Sequence, residues 1–240
     1  MAAPTYINRT TSVNAVDDPC TFIATMDLTL PATISAGDIL VAIVNANSSD
    51  TADTIGGDIS TWTVIYESGA GTTRHFGAYY KVATGSEDGA TLSIQVAFSG
   101  TTNSRALATC YQFSGGTVDG TVGAANNGTS SVPSFASTTT NAANTLLVGI
   151  MWIATSTTIN SHTGETGGDW TEVAAEQTSA GNGIQVQTAT MASVGTISGG
   201  NSSLGVSTSW WNYTFGIEEA AAPTSLIFSK PPMLAHHILR

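Results

Sequence analysis

The chain has 240 residues, enough for one large all-β domain or two small ones, and enough to bury its apolar surface without staples. Charged residues make up only 10% and the net charge is −11, so Lys and Arg are too few for a phosphate-binding surface and a nucleic-acid partner is excluded. Hydrophobic residues reach 41% in short runs of strand length, which excludes a disordered chain.

Residues 1–19 read as an N-terminal arm. Pro4 and Pro19 bracket a polar segment in which Thr10, Thr11, Val13 and Val16 allow a short strand. MAAPTYINRTTS lacks an apolar core of signal-peptide length, and no run of roughly eighteen apolar residues exists to span a membrane. From Cys20 to Leu30 the chain alternates, with Phe22, Ala24, Met26, Leu28 and Leu30 on one face, the period of a half-buried strand that Pro31 ends. Ile39 to Val44 is continuously apolar and reads as a central strand buried on both faces. Asn45 to Ser60 is rich in Ser, Asp, Thr and Gly and reads as a loop. The next strand, Trp62 to Tyr66, places Trp62, Val64 and Tyr66 on one face. Phe76 to Val82, Thr91 to Phe98 and Ala106 to Phe113 complete a first half, 20–115.

Gly115 to Ser131 holds little to bury and reads as a connector. A degenerate copy of the first half follows over 132–219. Asn144–Met151 lines up with Gly37–Val44, and Trp170-Thr171-Glu172-Val173 with Trp62-Thr63-Val64-Ile65. Thr188–Met191 stands roughly where Tyr79–Val82 stood, and Leu204–Ser209 and Trp211–Ile217 match the last two strands. No segment has a helical period with caps. About a dozen short strands with turn signals between them predict an all-β, two-sheet antiparallel β-sandwich spanning 20–219. Either each half forms a domain, or the halves interleave in one two-sheet, jelly-roll-like sandwich. The short connector favours the single sandwich.

Residues 220–240 change character. AAAPT reads as a hinge, followed by an extended, basic, apolar tail in which Pro231 and Pro232 block a helix. Leu226, Ile227, Phe228, Lys230, Pro231, Pro232, Met233, Leu234, Ile238, Leu239 and Arg240 are the candidate partner-binding residues, too apolar for a free end. The competing reading folds this tail back as an extra strand of the sandwich.

Chemistry-bearing motifs are sparse. Cys20 and Cys110 lie in strand-like runs without a CxxC pattern, and read either as small buried hydrophobes or as one disulfide. Asp50, Asp53 and Asp58 loosely resemble a calcium loop but lack EF-hand spacing, and the solvated-loop reading prevails. His75, His162, His236 and His237 match no metal or catalytic spacing. Among Glu67, Glu87, Asp88, Glu165, Glu172 and Glu176 nothing picks out a catalytic pair. The neighbours Tyr79–Tyr80 and Trp210–Trp211 point to opposite faces, so one of each pair faces away from the other, as a sugar platform or buried under a second sheet. Trp62 and Trp170 read as paired core anchors. No catalytic residue, cofactor or metal is expected.

GDILVAIV (37–44), STWTVIYES (60–68) and YYKVATGSEDG (79–89), closed by an alternating strand, are similar to a jelly-roll module of tailed-phage virion proteins and their prophage relatives. The resemblance spans 20–218, and the second half departs from it in lacking the tyrosines. It implies a non-enzymatic virion component assembled in the host cytoplasm: a capsid decoration or cement protein, a head fibre or a tail adhesin. The expected partners are the major capsid protein or other virion subunits and copies of the chain itself, a trimer by preference. The alternative function is a carbohydrate-binding adhesin for host surface glycans.

Overall fold

The computed structural model describes residues 3–16, 23–69, 71–99, 104–154, 159–163, 170–177 and 181–220. The first half forms β1 (Tyr6–Arg9), β2 (Val13–Val16), β3 (Ile23–Thr29), β4 (Ile39–Gly57), β5 (Thr63–Ser68), β6 (Thr72–Val82), β7 (Thr91–Phe98) and β8 (Arg105–Phe113). A 3-10 turn, Asp58–Thr61, links β4 to β5. The second half forms β9 (Thr117–Ser130), β10 (Thr138–Thr139), β11 (Thr145–Ile153), β12 (Ile159–Thr163), β13 (Thr171–Gln177), β14 (Gly183–Met191), β15 (Thr196–Ile197), β16 (Asn201–Leu204) and β17 (Thr208–Glu218).

Each half builds its own principal sheet. The first runs β1-β8-β4-β6-β5, with β2 also on β8. The second runs β13-β14-β11-β17-β9. The inner order of the first, β8-β4-β6-β5, is that of the second, β17-β11-β14-β13. Register makes the correspondence residue by residue. Val41 pairs with Tyr80 and Tyr111, as Val148 pairs with Thr188 and Phe215. The β5–β6 ladder slips between Val64 and Tyr66, and the β13–β14 ladder slips at the matching place, between Glu172 and Ala174. A β-bulge sits at the same point of both copies. The ladders set Thr188–Met191 opposite Tyr80–Ala83 of the first copy, one residue on from the alignment read in the sequence.

Alternation assigns the faces. On β4, Leu40, Ala42 and Val44 face a core closed by β3 and β7, with Ala24, Met26, Leu28, Leu92, Ile94 and Val96. Ile39, Val41 and Ile43 face the other half, against Leu146, Val148 and Ile150 of β11. The opposite face of β11 carries Leu147 and Met151 into two smaller cores. The small two-stranded ribbons β10–β15 and β12–β16 hold Ile197 and Leu204 of those cores. The sheets pack face to face as a β-sandwich, as expected, but the halves stack rather than interleave. Trp62 and Trp170 are both buried, each in the core on the outer side of its own sheet.

Three segments differ from their sequence reading. The polar stretch after Val44 is strand, not loop, to Gly57. The β4–β6 ladder breaks between Asn47 and Ala52, and the chain turns to pair Ala52–Gly57 with β7. Its backbone bonds and buried Ala52 outweigh a composition that favours turns. The connector is β9, an edge strand paired with β17, whose single deeply buried apolar side chain is Val122. The arm is woven in, since β1 and β2 both pair with β8. The tail candidates Leu226 to Arg240 lie outside the described residues, as does Cys20. Cys110 is a buried free thiol, and burial raises its pKa well above the ordinary range.

Candidate functional site

A group of part-exposed aromatic residues with polar neighbours lies along one seam between the halves. β17 supplies Trp211, Tyr213 and Phe215, which alternate toward the first half, while Trp210 points into the outer core. β5 and β6 answer with Tyr66, Phe76 and Tyr80. The bulge after Val64 is what brings Tyr66 here. Strict alternation would have left it on the face of Trp62, and the slip turns it to the seam. Tyr66 and Tyr213 stack with centroids 4.5 Å apart. Gly123 makes room, because a Cβ there would lie 2.0 Å from the Tyr213 hydroxyl.

A groove opens on either side of this stacked pair. The larger, about 330 Å³, is lined by Ser68, Thr73, Arg74, Phe76, Ser209 and Trp211. The smaller, about 180 Å³, is lined by Thr63, Val64, Tyr80, Asp119, Tyr213 and Phe215. Arg74 lies over the Trp211 ring, 5.6 Å from its centroid, and donates from Nη1 to the Ala154 carbonyl at 3.1 Å. Phe76 packs against the same indole at 5.2 Å. Partial burial lowers the Arg74 pKa without discharging it.

The smaller groove is acidic. Burial works to raise the Asp119 pKa, but the Thr121 amide and hydroxyl and the Asn141 amide hold it below the usual value. Burial, and then the Asp119 carboxylate, hold Glu218 above its usual value. These two carboxyls were not among the sequence candidates. They meet through β9–β17 pairing, which spacing alone does not reveal.

Of the sequence candidates, buried His75 and Tyr79 with the exposed Glu67 have the groups of a proton relay. His75 Nε2 lies 2.7 Å from Glu67 Oε1, and among the described residues its Nδ1 has no partner. The Tyr79 hydroxyl lies on the same side, and its pKa is driven up by burial and then by Glu67. Gly77 accommodates the folded-back ring, since a Cβ would sit 2.6 Å from it. His75 has no solvent-exposed surface, so no substrate reaches it in this conformation.

The remaining acids are structural. Glu87 accepts from the amides of Thr84, Gly85 and Ser86 and pairs with Lys81 at 3.0 Å. Asp88 accepts from the Ile34 amide, and Glu172 from Gln185. Asp58 accepts from the Ser93 amide at 2.9 Å, while the side chains of Asp50 and Asp53 lie outside the described residues. So do Glu165, His236, His237 and the side chains of Glu176 and His162. Among the described residues no group of three His, Cys, Asp or Glu side chains converges on a metal position. Compared with protein-family models, curated proteins and solved structures, the chain matches none.

Proposed function

We propose that the chain is a non-enzymatic structural protein of a tailed-phage virion, a capsid decoration or cement subunit whose C-terminal tail docks it on the shell. The sequence resemblance suggests the assembly, and the observation that carries the structural role is the lock between the halves. Asn45 donates to the carbonyls of Ile153 and Gly183, Trp152 to that of Val44, and Asn182 to those of Asn45 and Arg105. Buried polar bonds of this kind fix one register between two apolar faces. They suit a rigid body that bears load. The tail from Leu226 to Arg240 is the proposed anchor, with Leu226, Ile227, Phe228, Met233, Leu234, Ile238 and Leu239 covering apolar surface on the major capsid protein or a neighbouring copy.

Purified particles decide the matter. The chain should be present in stoichiometric copies and appear at regular head positions by electron microscopy. A chain truncated after Ala222 should fold and fail to attach. Absence from particles, or attachment unchanged by truncation, would overturn the proposal. A second reading, a glycan-binding adhesin, is favoured by the half-exposed Trp211 and Tyr80 in the seam grooves.

A further inference from the structure

The two seams that a doubled sandwich creates are lined differently. By the register, the second-half counterparts of Tyr66, Phe76 and Tyr80 are Ala174, Ile184 and Thr188. The first-half counterparts of Trp211 and Tyr213 are Leu107 and Thr109. The opposite seam keeps aromatics of its own, Tyr6, Tyr111 and Phe113, packed on one another, but by the same register it has no counterpart of the Tyr66–Tyr213 stack or of Trp211. The counterpart of Arg74 is Asn182, which is fully buried and consumed in bonds across the halves. Arg74 instead remains half-buried at a groove.

That guanidinium is unusually well placed. One N–H is held by the Ala154 carbonyl, and its plane lies over Trp211, which Phe76 supports from within. The Arg74 amide is held in turn by the Thr72 hydroxyl. Among the described residues its remaining donors have no carboxylate partner, whereas Lys81 is paired with Glu87. Ser68 and Thr73 contribute hydroxyls to the same wall. On a body of net charge −11, a fixed cation beside hydroxyls and an indole selects one kind of ligand: a compact anion that is otherwise rich in hydroxyls.

We propose that the Arg74 groove binds the carboxylate of an acidic sugar, a uronic or sialic acid, with the guanidinium as its receptor. The volume of about 330 Å³ admits one sugar residue. A phosphate would be served by several cations, and the groove offers one. Beyond the Tyr66–Tyr213 stack, Asp119 repels an anion from the smaller groove, which polarises the seam. The assignment rests on the adhesin reading and names its ligand class.

The experiment titrates the full chain with galacturonic acid, N-acetylneuraminic acid, their methyl esters and galactose, followed by calorimetry and amide chemical shifts. A polysaccharide ending in the tighter-binding acid tells free sugar from chain-end recognition. At least one acid should bind in the millimolar range, with R74Q weakening it about tenfold or more. T73E, at an exposed position, adds a repelling carboxylate and should do the same without disturbing Trp211. R9Q, on β1, should leave binding unchanged. Equal binding of ester and acid, or binding that survives both R74Q and T73E, would overturn the carboxylate assignment and spare the adhesin reading. No binding by any of these sugars would overturn both.

Discussion

Single side chains do different work in the two copies even where the backbone repeats. Trp62 and Trp170 are the pair that kept one role. Both are buried, and Trp170 donates to the Ser198 carbonyl at 3.1 Å. Replacing either with Ala should cost about 3–5 kcal/mol in a denaturant melt, as for other buried aromatics. Near-neutral shifts in both would show them to be surface residues. Glu87 has no such counterpart. Burial acts to raise its pKa, but Lys81 and the Thr84 amide and hydroxyl hold it at about 2. A folded-state pKa below that of the unfolded chain means stability present at neutral pH and lost as acid protonates the group. The loss should run from about pH 4.5 down to about 2. E87Q should be less stable than the parent at pH 7 and converge with it below pH 2, where both are uncharged. A constant gap between the two melting curves across that range would count against the assignment.

At the scale of elements, strands and faces were legible wherever a core imposed period two or a continuous apolar run. Ile39–Val44, the Ala24–Leu28 alternation and the repeat itself belong here, because burial writes directly into composition. β9 was not legible, because an edge strand beside β17 satisfies its backbone with Gly, Asn and Thr and buries almost nothing. The far part of β4 was hidden because what it buries is small or polar, Asn45, Ala46, Ser48 and Ala52. The seam was hidden for a different reason: the bulge after Val64 reverses the face of Tyr66, and alternation carried across it gives the wrong side. The resulting hierarchy predicts hydrogen exchange. Amides of Ile39–Asn47 and Thr145–Ile153, flanked by strands on both sides, should exchange slowest, and those of Thr117–Ser130 much faster. Protection of β9 equal to that of β11 would mean that another chain covers this edge, which would place the oligomer interface there.

For the whole molecule, the question is whether two similar halves behave as two domains. Their contact argues otherwise. Ile39, Val41, Ile43, Phe76, Tyr111 and Phe113 of one half lose their cover if the other opens, as do Leu146, Val148, Ile150, Trp152 and Phe215. The lock is close to reciprocal: Asn45 and its counterpart Trp152 each donate to a carbonyl of the opposite central strand. A half unfolded on its own would strand these donors as well as the apolar face, and a buried polar group left unpaired costs about 1–3 kcal/mol. The two halves should therefore unfold together. Met26→Ala tests this from a distance, since Met26 is fully buried in the outer core of the first half. The cavity should cost about 2–5 kcal/mol. If folding is one cooperative unit, slow exchange in β11 should weaken by as much as in β4, and tryptophan fluorescence and circular dichroism should report one midpoint. Weakened protection confined to the first half would make the halves independent domains, and the rigid-body role proposed for the chain would lose its physical basis.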